Sequence, residues 1–536
     1  MPRPLLGRAT REAFRTLLDA AALQPEGEEQ TALVLVATDH PARVLTRREL
    51  RHGVQARAAG LWRLGVRPGD TVVFAHLGEL DTVCAFWGAL VLGAVPSVFP
   101  TLTEKLDRGL YLESVAQMAR QSNVTALVTA DTFAPQLRPL VQCPVLSAGE
   151  LEGQGADAPA YAPTPGAVAF LQHSSGTTGL QKGVALSHEA VLNQLASCGD
   201  ALGLRPDDVV VSWLPLYHDM GLIAGFLLPM VQGLPLVLMS PFDWVAHPAL
   251  LLRALHEHAG TLVWLPNFAY HHCARRIRKR DSAGLDLSRV RSFINCSEPV
   301  HAESHALFLG RFAENGVHEG QLAVSYAMAE NTFAVTQTPP GRPPRLDHVT
   351  LAASPSRTAV SCGTPVAGTE VRVADEEGRP LAEREVGELL VRGDCLFAGY
   401  HGRPDLDRQA FREGWYRTGD MGYLAEGEVY VVGRKKDLII NGGKNVYPQD
   451  LEAIVNTVAG VHPGRAVAFG VYDEREGTEV VAVVAEVDET DPGRRHEIEQ
   501  AVRQRLAQGA SVTASHVTLV DDRWLIKTSS GKVARS

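Results

Sequence analysis

The stretch HSSGTTGLQKG, residues 173–183, packs four hydroxyl side chains, three glycines and one lysine into eleven residues. Glycine lets backbone amides approach a phosphate closely because no Cβ stands in the way, and Ser174, Ser175, Thr177 and Thr178 add donors beside Gly176 and Gly179. A P-loop of the GxxxxGK[ST] type needs a lysine after its last glycine and then a hydroxyl residue for magnesium. Here the order is inverted, with Lys182 before Gly183 and Val184 next. NGGKN at 441–445 lacks both a hydroxyl after Lys444 and a glycine five residues before Gly443, so a Walker-type nucleotide site is not indicated. By composition alone the stretch also reads as an ordinary solvated turn. Its flanks argue otherwise. AVAFLQ (167–172) reads as a short buried strand and VALS (184–187) as its partner, while Ser187 with Glu189 opens a helix over HEAVLNQLASCGDAL. A glycine and hydroxyl loop clasped between strands is held firmly enough to position something.

Working outward, helical and strand-like segments alternate from about residue 30 to 440. RRELRHGVQARAAGLWRLG (47–65) and DTVCAFWGALVLG (81–93) read as helices, DTVVFAH (70–76) and VTALVTA (124–130) as strands. That alternation predicts an α/β fold: a large N-terminal domain, 1–433, of mixed and parallel sheets layered with helices. A small α+β domain, 434–536, is predicted to follow. In it QDLEAIVNTV places Leu451, Ile454, Val455 and Val458 on one helical face, RAVAFGVY and EVVAVVAEV form a hairpin around DEREGT, and EIEQAVRQRLA repeats Ile498, Val502 and Leu506. The proline-rich stretch 339–358 is expected to be an extended surface insertion.

The 536 residues carry a formal net charge of −10, which gives no general footing for nucleic acid, and basic runs are local and short. Seven cysteines without a CxxC pair suggest neither a disulfide framework nor a zinc site. The N-terminus lacks the shape of a secretory signal, and the most apolar runs, 83–98 and 225–239, fall short of the ~20 clean apolar residues of a spanning helix. These features predict a cytoplasmic protein of enzyme size.

Further motifs follow in order: LPLYHDMGL (214–222), NCSEP (295–299), SYAMAEN (325–331), YRTGD (416–420), GRKKDLIINGGKNVYPQDLE (433–452) and KTSSGKV (527–533). Together with the first loop they resemble the adenylate-forming superfamily of acyl-CoA synthetases, luciferases and nonribosomal adenylation domains, over essentially the whole chain. LPLYHDMGL, PNFAYHHCARRI (266–277) and NVYPQDLE look most like the fatty acyl-AMP ligases.

The resemblance implies a reaction in two halves. A carboxylate attacks the α-phosphorus of ATP, pyrophosphate leaves, and the acyl group then passes to the phosphopantetheine thiol of a carrier protein, or to CoA. Two anions must meet in the first half, so positioning and positive charge have to supply most of the catalysis. By resemblance, Lys532 bridges the substrate carboxylate and the α-phosphate, and Glu330 holds Mg²⁺, a hard cation that prefers carboxylate and phosphate oxygen. Asp420 accepts the ribose hydroxyls with Arg434 beside it, and Tyr326 stacks on adenine. Cys296, Ser297, Glu298 and Pro299 line the other side of the base, with Ala327 and Met328 completing the nucleotide site alongside residues 174–179 and Lys182. His218 stands where the acyl tunnel meets the nucleotide, as gate or carboxylate contact, or else as a satisfied core histidine. Lys436 falls at the hinge about which, the resemblance implies, the small C-terminal domain is mobile.

Departures from the family pattern are Ala327 for glycine, Ala329 for threonine, Cys296 in NCSEP, and Leu180-Gln181 where proline commonly precedes the lysine. An amino or aryl acid remains open as substrate, with Asp219 able to pair with an α-ammonium. A non-catalytic adenylate-binding protein on the same scaffold is a third reading, against which the retention of Lys532, Glu330, Asp420 and Arg434 speaks.

Overall fold

The computed structural model describes residues 5–20, 27–102, 108–152, 158–173, 182–351, 354–441, 444–473, 478–510 and 512–525. The hairpin around the opening loop forms. Val168–His173 pairs antiparallel with Gly183–Ser187, from Val168 opposite Ser187 to His173 opposite Gly183. Ser187 then caps the helix His188–Leu202, its Oγ accepting the Ala190 N–H at 3.1 Å, and Gly203, at φ +52°, ends it in the left-handed conformation that glycine tolerates.

This hairpin belongs to a seven-stranded sheet, in the order Gly399–Tyr400, Gly183–Ser187, Val168–His173, Val95–Phe99, Thr71–Ala75, Ala126–Thr129, Val145–Ser147. The last five run parallel. A nine-stranded sheet holds six more parallel strands in the order Leu322–Ala327, Ser292–Cys296, Leu262–Leu265, Val210–Ser212, Leu236–Met239, Thr31–Val36, with antiparallel strands outside them. Most of these strands are apolar runs buried along their length, as strands covered on both faces must be. One core joins the two sheets: Phe86, on the helix Glu79–Leu92, lies 5.5 Å from the Phe170 ring and 5.8 Å from that of Phe226.

An antiparallel sheet follows, built on Thr369–Ala374, Gly387–Gly393 and Trp415–Ala425, with Glu428–Arg434 folded back on Trp415–Ala425. The smaller C-terminal domain has an apolar core of its own, drawn from residues between Ile439 and Leu519. Its helices Pro448–Val455 and Pro492–Ala510 set Leu451, Val455, Val502 and Leu506 against the hairpin Val461–Asp473 and Thr478–Val487, while Ile454 and Ile498 stay half-buried at the margin. A third strand, Ala514–Val520, adds parallel to Thr478–Val487.

The stretch 339–358, expected to be an extended surface insertion, carries paired strands within it. Leu346–Leu351 pairs antiparallel with Ser354–Val360 as a two-stranded sheet. Four of its prolines, at 339, 340, 343 and 344, precede the first strand, and Pro355 sits at the start of the second, where a missing N–H is tolerated on a strand with only one partner.

Candidate functional site

Four of the motifs leave the carboxyl ends of adjacent parallel strands. LPLYHDMGL follows Val210–Ser212, PNFAYHHCARRI follows Leu262–Leu265, NCSEP ends Ser292–Cys296, and SYAMAEN ends Leu322–Ala327. Parallel strands point every carboxyl end to one edge of the sheet, and that edge is where open α/β sheets place their ligands. The register is tight, with Leu265 opposite Asn295 and Cys296 opposite Ser325.

After Cys296, Ser297 takes φ +71°, a conformation costly for a residue with a Cβ, and its hydroxyl reaches Met220 Sδ at 3.8 Å. The Glu298 carboxylate accepts the Phe268 N–H at 2.9 Å, anchoring the start of the helix Asn267–Arg276, and Pro299 is exposed. Ala327 closes its strand, and the Met328 N–H donates to Phe333 O. The turn that follows is strained at Thr332, φ +61° and ψ −49°, a β-branched residue held there by its hydroxyl on Cys395 O at 2.7 Å.

His218 and Asp219 precede a π-helical stretch, Met220–Leu227, every residue of which is buried. Asp219 Oδ1 accepts the Met220 N–H at 2.8 Å and stands 2.7 Å from His218 Nδ1, outside hydrogen-bonding alignment. Gly221 is required here, because a Cβ would meet Pro215 O at 2.2 Å. The Gln172 amide donates to Tyr217 O at 2.9 Å, tying this segment to the strand that enters the first loop.

That strand ends on His173, whose Nδ1 lies 2.7 Å from Ser97 Oγ and whose Nε2 lies 3.2 Å from Ser122 Oγ. Burial pushes the ring down to about 4, so it is neutral at pH 7 and serves as an anchor. Just before the return strand, Lys182 sets its ammonium 4.8 Å from the centre of the Tyr400 ring. Tyr400 donates its hydroxyl to Glu330 Oε1 at 2.9 Å and lies 3.3 Å from the Tyr416 hydroxyl. Lys182 and Glu330 thus meet across Tyr400, a residue that sequence reasoning missed. Its placement comes from Tyr400 pairing with Val184, a contact between distant segments that no local pattern announces.

The second cluster forms between strands. Asp420 pairs with Arg434 in register, their side chains 3.3 Å apart at Oδ1 and Nε, and Tyr326 donates its hydroxyl to Asp420 Oδ2 at 2.7 Å. Burial, and then the Asp420 charge, hold the Tyr326 phenol well above its ordinary value, while Asp420 raises the Arg434 guanidinium. Lys436 follows in the turn Lys435–Asp437. Partial burial, then the neighbouring Arg434 and Lys182 charges, push its ammonium below the ordinary lysine value. Cations from two distant segments, Lys182 on one and Arg434 with Lys436 on the other, therefore crowd one region, an arrangement that favours a polyanion between them. Ser174, Ser175, Gly176, Thr177, Thr178 and Gly179, and Lys532, lie outside the described residues.

Residues 20–401 match the family model described as AMP-binding enzyme, and residues 450–532 match that of the AMP-binding enzyme C-terminal domain. The chain belongs to the AMP-binding enzyme family. It is 32% identical over 529 residues to a 4-hydroxyphenylalkanoate adenylyltransferase of Mycobacterium tuberculosis, covering 89% of this chain and 83% of the relative. A medium-chain-fatty-acid–[acyl-carrier-protein] ligase of Moorena producens is 33% identical over 399 residues, 69% of this chain and 67% of that one. A solved structure from work on fatty acyl-adenylate ligases of E. coli and L. pneumophila superposes with a TM-score of 0.88 at 29% identity, covering 97% of this chain and 96% of the other.

Proposed function

We propose that the protein joins a medium- or long-chain fatty acid to AMP, releasing pyrophosphate, and hands the acyl group to the phosphopantetheine thiol of an acyl carrier protein. The observation that carries this reading is the convergence of Tyr326, Asp420 and Arg434 beside Lys182, Tyr400 and Glu330 in a chain of this family. Asp420 takes the ribose hydroxyls, Tyr326 the adenine, and Lys182 with residues 174–179 the phosphates. Residues 296–299 with Ala327 and Met328 form the wall around the base.

Glu330 fits a magnesium site of the kind that borrows most of its oxygen from substrate. Among the described residues no three His, Cys, Asp or Glu side chains gather as a ligand set, so the protein offers one carboxylate and phosphate and water supply the rest. The ion, when bound, neutralises phosphate charge. The Tyr400 hydroxyl orients the carboxylate that would hold it. Tyr400→Phe is expected to raise the Mg²⁺ concentration giving half-maximal pyrophosphate exchange by about tenfold, the cost usual for a lost outer partner, while KM for the acid stays put. A Mg²⁺ titration of both proteins checks this.

The carboxylate of the acid approaches past His218, and Lys532 bridges it to the α-phosphate. The unit 434–536 then turns about Lys436 and brings NGGKN to the thiol. Asp219, the carboxylate that an amino-acid substrate would need, is instead turned to the Met220 amide and the His218 ring, which favours a fatty acid.

The test offers ATP, Mg²⁺ and a panel of fatty, 4-hydroxyphenylalkanoic and amino acids, and reads acyl-AMP by mass spectrometry, then thioester on a holo carrier protein against CoA. Acyl-AMP from fatty acids and thioester on the carrier protein are expected. Adenylate from aryl or amino acids alone overturns the substrate assignment.

A further inference from the structure

Residues 275–280, RRIRKR, hold five cations in six positions of a chain whose net charge is −10. All five are exposed, and they straddle the end of the helix Asn267–Arg276 and the short helix Lys279–Ser282. Only buried Ile277 interrupts them, and it pins the run to the core. Acidic neighbours are few: Lys279 lies 3.8 Å from Glu314 and Arg280 3.6 Å from Asp281, both in open solvent. Among the described residues no ion pair engages Arg275, Arg276 or Arg278.

Next to this run stands the helix Pro241–Ala246. Its Phe242 and Val245 lie three residues apart, hence on one face, and are 47% and 52% exposed. The His272 ring lies 3.0 Å from Val245 O through Nε2, fixing the two helices side by side. A pocket of about 300 Å³ between them is bordered by Ala246, Pro248, Arg253, Arg276, Arg278 and Asp281. Three arginines and one carboxylate, Asp281, therefore line one opening together with apolar side chains.

We propose that this face docks the protein on an anionic lipid bilayer, Phe242 and Val245 entering the headgroup layer and Arg253, Arg276 and Arg278 receiving a lipid phosphate. Basic side chains beside protruding apolar ones are the surface chemistry of peripheral membrane binding. Guanidinium suits phosphate because its planar fork bonds two oxygens at once. The run meets only two scattered carboxylates, Glu314 and Asp281, and stands beside two protruding apolar side chains, so an anionic plane with an apolar interior is its counterpart. The association is peripheral; among the described residues no helix is long and apolar enough to cross a membrane. This inference stands independently of the acyl-AMP reading.

The experiment sediments the full chain with vesicles of phosphatidylcholine alone and of phosphatidylcholine mixed with phosphatidylglycerol. Binding to the mixed vesicles alone is expected, weakening as salt is raised. Arg276→Glu/Arg278→Glu/Arg280→Glu should lower partitioning on the order of a hundredfold, and Phe242→Ser/Val245→Ser on the order of tenfold. Adenylation of a short soluble acid without vesicles, together with the melting temperature, should match wild type in both variants. If the charge-reversed chain does not fold, the serine pair and the salt titration of wild type decide the matter. Equal binding to both vesicle types, or full binding by the folded charge-reversed variant, overturns the proposal. So does wild type that ignores vesicles while charge reversal raises KM for a carrier protein, which would assign the face to an acidic protein.

Discussion

Asp420→Ala is expected to lower kcat/KM for ATP in acyl-AMP formation by about two to three orders of magnitude, as read by pyrophosphate exchange. A hydrogen bond to a charged acceptor contributes ~1.5–3 kcal/mol, and two ribose hydroxyls on one carboxylate lose both. Each ~1.4 kcal/mol is a factor of ten. The variant also strands its neighbours: the Tyr326 hydroxyl, donated to Asp420 at 2.7 Å, loses its acceptor, and the Arg434 guanidinium loses the charge that raises it. Asp420→Asn separates the two effects. Its amide oxygen still accepts from Tyr326, though the charge beside Arg434 is gone, so the melting temperature should fall less than in Asp420→Ala, whereas only one ribose hydroxyl keeps an acceptor and the rate should fall by an intermediate factor. Equal rates in wild type and Asp420→Ala would remove the ribose from this cluster altogether.

The same cluster shows where sequence is legible and where it is not. Asp420 and Arg434 both lie in stretches recognisable by residue type and order, but their pairing is the work of a hairpin between Trp415–Ala425 and Glu428–Arg434. The parallel strands were readable because an apolar run bounded by turn residues has few other uses, and the helix after Ser187 because its cap and its apolar spacing agree. The π-helical turn was not readable: MGLIAGFL is apolar throughout and carries no period to separate one helical pitch from another. Tyr400 stayed hidden for a different reason. Its partners Glu330 and Lys182 lie beside strands of two different sheets, one in the turn after Leu322–Ala327 and the other just before Gly183–Ser187, and only the closed fold sets them around one ring. In 339–358 the prolines dominated the reading, while β-branched Val349, Thr350, Thr358 and Val360 behind them suit strands.

Lys532→Ala should abolish most acyl-AMP formation, by about two to three orders of magnitude, yet leave transfer from supplied acyl-AMP to a carrier-protein thiol within about twofold of wild type. The asymmetry follows from charge. In the first half-reaction a carboxylate oxygen must reach a phosphorus ringed by anionic oxygens, and two unit charges 4 Å apart repel by ~4 kcal/mol at the effective dielectric of a partly buried site. One ammonium between them turns that repulsion into attraction at the moment the new O–P bond forms. In the second half the thiol attacks an acyl carbon, AMP departs as the leaving group, and no second anion has to be forced against the phosphate. A lysine suits the bridging role because its compact charge rides on a flexible stem; Lys532→Arg keeps the charge but spreads it over a planar fork, so partial recovery of the first half is expected. Single-turnover thioester formation from synthetic acyl-AMP, set beside pyrophosphate exchange, separates the halves. A variant that loses both, with an unchanged melting temperature, would place Lys532 in thiol transfer as well and end the assignment of the two half-reactions to two faces of the unit 434–536.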